Sequence, residues 1–390
     1  MDTRSLQDSW AVVAKSGEDV PHFFYGHLFL THPELREMFP VSMAAQRDKL
    51  VSALGRIVSN VDRLAEVTPF VEQLGRDHRR FDVVAQHYPA VGASLLATLQ
   101  HFLGAAWNER LATDWAEAYG LIAKVMVTAA EQAEESEPPW WPAEVVSVER
   151  RTLDVSVLQL RPEQSFSYEP GQSFAMEVPS RPRLWRYYSP ANAPRDDGTV
   201  EVHVQLVAGG QVSTSITRSL KPGDRVRMGA PVGDRLTLPD VDDDGSVLMV
   251  AGGTGLAPLR AVIEQLDRRW ANSGAAPRVQ LFHGARWAWN LYEHQLLTGL
   301  AGRTWFDYTP VISDDSSYPG VRGLVGSVAA RRASTRDCTT LVCGPSAMVE
   351  HTVAELVGAG HAENRIRYEL FDKLDATDTR VGQGGDPSDN

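Results

Sequence analysis

The hydrophobic pattern of this chain changes its period once, at the segment EQAEESEPPWWP (residues 131–142), and this change constrains the fold more than any other feature. Before the segment, apolar residues recur at helical spacing; after it, they alternate with polar residues as in strands. The segment itself joins an acidic helix end to prolines and a tryptophan pair, which is typical of a domain boundary. We therefore expect a helical domain followed by a strand-rich part.

The helical part covers residues 1–134, and residues 135–142 are the predicted linker. Its apolar residues form amphipathic stripes at helical spacing. The stripes comprise Leu50, Leu54, Ile57, Val58, Val61 and Leu64; Leu95, Leu96, Leu99, Phe102 and Leu103; and Trp115, Tyr119, Ile122, Met126 and Val127. We predict an all-α domain.

The rest of the chain divides in two. Residues 143–240 contain short strand candidates separated by Pro, Gly and Asp, which predict a small antiparallel β-barrel. Residues 241–373 alternate strands with helices, the pattern of an α/β domain with a parallel sheet. Residues 374–390 lack an apolar pattern and should be disordered.

Composition excludes several classes of protein. A hydrophobic content of 43% and a charged content of 23% are ordinary for a soluble globular chain. The net charge of −12 argues against nucleic acids or anionic membranes as partners. No apolar run reaches the length of a membrane span, and the N-terminus lacks a signal-peptide pattern, so we expect a cytoplasmic protein. Cys338 and Cys343 cannot form a disulfide framework or a zinc site.

One histidine lies on the apolar side of a predicted helix. Phe70, Leu74 and His78 share a face by helical spacing. A core histidine with one satisfied ring nitrogen is one interpretation, because histidine is intermediate in burial. A metal ligand is the other, and spacing alone does not decide between them.

Two segments of the barrel region suit a ligand with phosphates and a flat ring. In LWRYYSPAN, Arg186 and Tyr188 lie on the same side of a strand and are followed by Ser189. In AGGQVSTSITRSL, glycines precede a helix whose free N–H groups can hold a pyrophosphate. Each segment alone could be an edge strand or a capped turn; together, in this order, they favour a binding site.

The α/β region carries glycine-rich turns after its strands. In VAGGTGLAPL, Gly252, Gly253 and Gly255 allow phosphate to approach backbone N–H groups, although the spacing is not G-x-G-x-x-G. LVCGP ends a buried strand at the edge where open α/β sheets bind ligands. Its turn consists of Cys343, Gly344 and Pro345, and YELFD later supplies Glu369 and Phe371.

Residues 143–373 resemble the ferredoxin-NADP reductase superfamily, because these four motifs occur in the order that the family has. The resemblance implies FAD held by Arg186, Tyr188 and Ser189, with its pyrophosphate near Gln211, Val212, Ser213 and Thr214. It implies a nicotinamide nucleotide over Gly253, Thr254 and Gly255 that reaches Cys343. Glu369 and Phe371 match the place where the family shields or tunes the flavin ring.

The helical domain resembles the globin of flavohaemoglobins, and the whole chain therefore resembles that family of nitric oxide dioxygenases. HFFYGHLFLTHPELREMFP and AAQRDKL carry the match. The resemblance implies Tyr25 and Gln46 as distal hydrogen-bond donors, Phe39 as the phenylalanine against haem, and His78 as the proximal ligand. These residue types suit the chemistry: imidazole binds ferrous iron, and hydroxyl and amide groups can stabilise bound dioxygen.

On the proximal side, family members use a tyrosine and a glutamate. Tyr88 matches the tyrosine, and Glu131 is the first candidate for the glutamate, with Glu134 as its rival and a solvated helix end as the plainer interpretation of Glu131. The chain also departs from the family. Asp77 replaces the frequent lysine before the proximal histidine, and Asp372 and Lys373 replace Gly-Pro near the end.

The resemblance implies an oxidoreductase that passes electrons from NAD(P)H through FAD to haem b and converts nitric oxide and O₂ to nitrate. NADH is favoured, because only Arg286 could meet a 2′-phosphate. Two alternatives stay open: the same relay acting on an organic substrate as an oxygenase or reductase, and an oxygen- or redox-sensing globin. The expected assembly is a monomer or weak dimer.

Overall fold

The computed structural model describes residues 1–238 and 245–370, except for the side chain of Leu64. The chain divides into two compact units between Trp140 and Trp141, and each unit is described by itself. The predicted domain boundary at residues 240 and 241, Phe371, Asp372, Lys373 and the predicted tail at 374–390 lie outside the described residues.

The first unit is helical, as the apolar stripes predict. Its α-helices are α1 (Thr3–Val13), α2 (Asp19–Thr31), α3 (Ala44–Ser59), α4 (Leu64–His78), α5 (Tyr88–Leu103) and α6 (Glu109–Glu134). Side-chain caps fix two starts: Asp2 accepts from the N–H of Ser5, and Asn108 accepts from the N–H of Leu111. A main core is built from α1, α2, α5 and the start of α6, and a smaller one from α4 and the middle of α6.

The second unit begins with an antiparallel sheet and a helix. The elements are β1 (Trp141–Arg150), β2 (Val155–Pro162), β3 (Ser173–Glu177), β4 (Trp185–Tyr188), β5 (Val200–Gln205), α7 (Gln211–Ser219) and β6 (Arg225–Val232). The strand order is β4-β3-β6-β1-β2-β5. A bridge between Pro190, just after β4, and Val202 in β5 joins the two outer strands, and this contact closes the sheet into the predicted barrel.

A parallel sheet with helices follows in the same unit. The elements are β7 (Ser246–Gly252), α8 (Leu256–Ser273), β8 (Arg278–Ala285), α9 (His294–Leu300), β9 (Phe306–Ile312), β10 (Val321–Arg322), α10 (Val325–Arg332), β11 (Thr339–Gly344), α11 (Ser346–Gly358) and β12 (Ile366–Leu370). The order β10-β9-β8-β7-β11-β12 runs outward in both directions from β7. The strand order therefore reverses between β7 and β11, and ligands of open α/β sheets bind at the carboxyl ends of such strands.

Two details of the strands differ from the sequence prediction. Trp141 and Pro142, predicted as linker, are the first residues of β1 and pair with Met228 and Arg227. The two-residue strand β10 has too few residues to show a period and was not predicted.

In the part of the chain that the structure describes, every helix is too short or too polar to cross a membrane.

Candidate functional site

A close contact between two helices positions the candidate iron ligand. A Cβ atom placed on Gly75 would lie 2.2 Å from the backbone oxygen of Met126, so only glycine lets α4 and α6 approach this closely. His78 follows within one turn and is the last residue of α4. The sequence signal for this contact is a glycine inside a helix. Glycine lowers helix stability, so its presence there indicates that close packing requires it.

The ring of His78 is oriented by its own helix. Nδ1 lies 2.6 Å from the carbonyl oxygen of Leu74, one turn earlier. Because a carbonyl can only accept, Nδ1 carries the proton, and the lone pair lies on Nε2. Histidines that bind metals commonly hold one ring N–H on such an acceptor and bind through the other nitrogen.

The three predicted distal residues lie together. Tyr25 is buried in α2, and its hydroxyl donates to the backbone carbonyl of Gln46 at 3.5 Å. Its ring meets that of Phe39 edge-on, with centroids 5.5 Å apart. Burial raises the pKa of Tyr25 well above its ordinary value, so the phenol stays protonated and remains a donor.

Half-buried apolar side chains of the same unit suit haem. Apolar residues of α3 to α6 are only half-buried, although they lie against the cores of the unit. They include Leu50, Leu54, Ile57, Leu74, Ile122 and Val125. An apolar lining with one imidazole nitrogen and one buried phenol fits a haem group.

The predicted proximal residues differ in how far they are buried. Tyr88 begins α5, and burial raises its pKa to about 12. Tyr119, whose role sequence analysis missed, donates from its hydroxyl to the Tyr88 carbonyl at 2.7 Å. Glu131 is exposed on α6, as its plainer interpretation predicts, so its side chain does not support a proximal role. Glu134 is also exposed. Burial lowers the pKa of Arg79, and the nearby charge of Glu134 partly offsets this shift.

The aspartate that departs from the family pattern has a cationic partner. Asp77 Oδ2 lies 3.6 Å from an Nη atom of Arg80, and the Arg80 side chain is only 5% exposed. Gln73 also donates to Asp77 from its amide at 3.2 Å. The negative charge next to His78 is therefore offset within the same turn of chain.

The flavin motif lies where β4 meets β3. Arg186 and Tyr188 pair with Met176 and Phe174 and lie on the same side of the strand. Ser189 is 5% exposed, and its Oγ has no hydrogen-bond partner among the described residues. A buried hydroxyl without a partner is costly, and a bound cofactor would remove that cost.

The helix predicted to hold the pyrophosphate is α7, which begins at Gln211. Val212 is buried in the barrel core, and Ser213 Oγ accepts from the N–H of Val207 at 3.2 Å. The N–H of Thr214 donates to the carbonyl of Gly210. The first-turn N–H groups of Gln211, Val212 and Ser213 are therefore the groups that can bind an anion. The side chains of Val212 and Ser213 make contacts within the protein instead.

The glycines of the nucleotide loop differ in their surroundings and backbone conformation. A Cβ on Gly255 would lie 2.4 Å from the Cys343 oxygen, and one on Gly252 would lie 2.6 Å from Met348 Cε. A side chain on Gly255 would clash with the backbone, whereas one on Gly252 would displace the flexible end of Met348. Access of phosphate to the N–H groups of this loop stays a prediction. Gly253 has a φ of +54° and, with Thr254, is partly exposed beside the buried Gly344 and the exposed Pro345.

The cysteine at the end of β11 is not exposed. Cys343 is fully buried in the core of the parallel sheet, and burial raises its thiol pKa well above the ordinary value. The resemblance has the nucleotide reach Cys343, and this stays a prediction. The partner of Cys343 across the sheet is Glu369, whose buried Oε2 lacks a hydrogen-bond partner among the described residues.

Comparison with known proteins decides the family. Three family profiles match in succession: Globin at residues 22–126, Oxidoreductase FAD-binding domain at 142–235 and Oxidoreductase NAD-binding domain at 249–354. A Flavohemoprotein of Rhizobium meliloti (strain 1021) is 27% identical, over 92% of this chain and 94% of its own. The chain belongs to the flavohaemoprotein family. This flavohaemoprotein therefore takes haem in its globin and FAD and a nicotinamide nucleotide in its oxidoreductase domains.

Solved structures agree with the fold of a flavohaemoprotein. The flavohemoglobin from Malassezia yamatoensis, with bound FAD and heme, matches with a TM-score of 0.75 and 18% identity, over 95% of this chain and 98% of that one. The Flavohem-like FAD/NAD binding domain of nitric oxide dioxygenase from Vibrio cholerae O1 biovar El Tor matches with a TM-score of 0.51 and 22% identity, over 59% of this chain and 98% of that one.

Proposed function

We propose that this flavohaemoprotein oxidises nitric oxide with O₂ to nitrate, using electrons from NADH. The observation that carries the proposal is the distal group of Tyr25, Phe39 and Gln46, which meets in the same globin as His78. The name of the Vibrio cholerae protein lends support, because it attaches this reaction to an oxidoreductase part of similar fold.

The residues have separate tasks in this proposal. When bound, FAD takes a hydride and releases single electrons, and haem supplies the iron at which O₂ and nitric oxide react. His78 would hold the iron, and the Leu74 carbonyl keeps Nδ1 protonated so that the lone pair lies on Nε2. Tyr25 would donate from its protonated hydroxyl, which in this structure lies 3.5 Å from the Gln46 carbonyl, to oxygen that develops negative charge.

In the oxidoreductase part, Arg186 and the first turn of α7 bind the FAD phosphates, and the Gly253-Thr254 segment binds the nicotinamide nucleotide. Arg286 is 81% exposed, and its Nε lies 4.0 Å from a carboxylate oxygen of Asp314. A carboxylate beside this arginine would repel a 2′-phosphate, and this repulsion favours NADH over NADPH.

Nitric oxide consumption in air tests the proposal. With NADH present, the haem- and FAD-loaded protein should remove nitric oxide and O₂ in equal amounts and produce nitrate. NADH oxidation that an added organic compound stimulates and nitric oxide does not would instead favour an organic substrate. Spectral changes of haem without turnover would favour a sensor.

We predict that Tyr25→Phe speeds O₂ dissociation from the reduced protein by one to two orders of magnitude. A hydrogen bond to a charged or strongly polarised oxygen contributes about 1.5–3 kcal/mol, and the phenylalanine ring keeps the packing against Phe39. Gln46→Leu should have a smaller effect. Flash photolysis or stopped-flow measures the rate, and a rate equal to that of the wild type would remove Tyr25 from the distal site.

We predict that Glu369 makes the oxidoreductase part less stable as the pH rises. The pKa of Glu369 is raised from 4.5 to about 7, chiefly by burial; Arg235 opposes the shift and Asp234 adds to it. The unfolded chain ionises this carboxyl from pH 4.5 upward, whereas the folded chain keeps it protonated until about pH 7. Stability that is fully present below pH 4.5 is therefore lost as the pH rises to about 7.

Thermal unfolding followed by FAD fluorescence measures this effect. The transition temperature of the wild type should fall across that range, and the fall should be shallower in Glu369→Gln, which cannot ionise. Glu363→Gln is the matched control, because Glu363 is exposed in the same region. Equal slopes in Glu369→Gln and the wild type would show that Glu369 ionises normally.

A further inference from the structure

A buried arginine joins the barrel to the parallel-sheet part of the second unit. Arg260 lies on α8, in the second turn after the nucleotide loop, and is 8% exposed. Its Nη1 donates to Glu201 Oε1 at 2.7 Å and to the carbonyl of Ala191 at 2.5 Å, both in the barrel. Its Nε lies 3.4 Å from Glu293 Oε2, on the side of the parallel sheet. One guanidinium therefore contacts both parts.

The contact continues through a histidine and a tyrosine. His203 Nε2 lies 3.1 Å from Glu201 Oε1, and its Nδ1 lies 2.9 Å from the hydroxyl of Tyr292. A carboxylate only accepts, so Nε2 carries the proton and the Tyr292 hydroxyl donates to Nδ1. The Tyr292 ring meets the ring of His283 edge-on at 6.2 Å, and His283 pairs with Ala251 of β7, two residues before Gly253.

We call Glu201, Arg260, His203, Tyr292 and Glu293 the polar seam. Further ion pairs flank it and also connect the two parts. These are Arg195 with Glu264 at 3.5 Å and Arg151 with Glu293 at 3.9 Å.

The polar seam restricts movement between the two parts more than an apolar contact would. An apolar interface can slide with little loss, whereas a buried ion pair is stable only in good geometry. The carboxylates of Glu201 and Glu293 and the guanidinium of Arg260 are each at most a tenth exposed. A displacement would leave buried charges without partners.

Both ends of the polar seam lie beside cofactor-binding segments. Ala191 comes two residues after Ser189 of the flavin motif, and Gly253 belongs to the nucleotide loop. We propose that the polar seam holds these two segments in the one arrangement that brings nicotinamide and flavin within reach for hydride transfer, so that Glu201, Arg260, His203 and Tyr292 are positioning residues. The proposal rests on the NADH-to-FAD step of the proposed function.

Hydride transfer is sensitive to such positioning. Reacting atoms must lie about 3–3.5 Å apart, and a misplacement of about 1 Å can cost about a hundredfold in rate. Residues that touch neither cofactor can therefore change the rate of the step while leaving cofactor binding intact.

Anaerobic stopped-flow measurement of FAD reduction by saturating NADH tests the proposal in the full-length, FAD-loaded protein. Arg260→Met and Glu201→Gln should each lower the limiting rate by about tenfold to a hundredfold, with FAD content and the half-saturating NADH concentration nearly unchanged. The double variant should be no slower than the slower single one, because both changes break the same contact. Arg260→Lys should recover part of the rate.

Arg303→Met is the matched control, because Arg303 forms an ion pair with Asp267 of α8, the helix that carries Arg260, and this pair does not involve the barrel. Its rate should stay within about twofold of the wild type. FAD-loaded Arg260→Met and Glu201→Gln with wild-type limiting rates would overturn the proposal; if Arg260→Met does not fold, wild-type rates in Glu201→Gln and Arg260→Lys would do so. Failure of NADH to reduce FAD in the wild type would instead contradict the proposed function.

Discussion

Replacing His78 with alanine is expected to abolish the normal haem spectrum and nearly all nitric oxide consumption. His78 is the proposed protein ligand of the iron, with its tautomer fixed by the Leu74 carbonyl. The oxidoreductase unit has cores of its own, so it should retain FAD and still pass electrons from NADH to ferricyanide. Added imidazole should partly restore the fifth ligand and shift the spectrum back.

A core histidine would behave differently, and this contrast makes the experiment decisive. Loss of a packing contact would lower stability while bound haem kept its spectrum. His101→Ala is the matched control, because His101 is exposed on α5 and stacks on Phe23, away from the proposed ligand set. A His78→Ala protein with a native-like haem spectrum and full turnover would show that this residue only packs.

Replacing Arg186 with alanine is expected to give a protein that purifies with haem but little FAD. A charge-assisted hydrogen bond to phosphate contributes about 1.5–3 kcal/mol, and its loss weakens binding by about one to two orders of magnitude. Added FAD should restore NADH oxidation in proportion to its occupancy. Absorbance and flavin fluorescence after gel filtration measure retention.

The control for this variant is Arg161→Ala. Arg161 is half-exposed on β2 of the same barrel and contacts Glu144 at 3.9 Å. This variant should retain FAD as the wild type does. Full flavin occupancy in Arg186→Ala would contradict the assignment of this strand to FAD phosphate binding.

The order of the helical and strand-rich domains could be predicted from the sequence because the periodicity of apolar side chains is a local property. Helical spacing before residue 131 and alternation after residue 142 correspond to α1–α6 and to the barrel strands. Periodicity could not decide what His78 does, and only the resemblance separated ligand from core residue. The site roles, the cytoplasmic location and the oligomeric state stay predictions.

Sequence spacing says least where a residue's surroundings depend on small angles or distant partners. Successive helix positions differ by about 100°, so an uncertainty of a residue or two along the 26-residue α6 left both Glu131 and Glu134 as candidates, and both are exposed. The close contact of Gly255 with Cys343 joins segments far apart in sequence and could not be predicted. The polar seam was missed for the same reason: Glu201 and Arg260 are separated by 59 positions.

The fate of oxygen atoms tests the central claim most directly. The haem- and FAD-loaded protein is supplied with NADH, nitric oxide and isotope-labelled O₂, and the nitrate formed is analysed by mass spectrometry. Our account predicts nitrate that carries label from O₂ in the wild type and none formed above background in His78→Ala. Unlabelled nitrate, or reduction of nitric oxide without nitrate, would contradict the assignment.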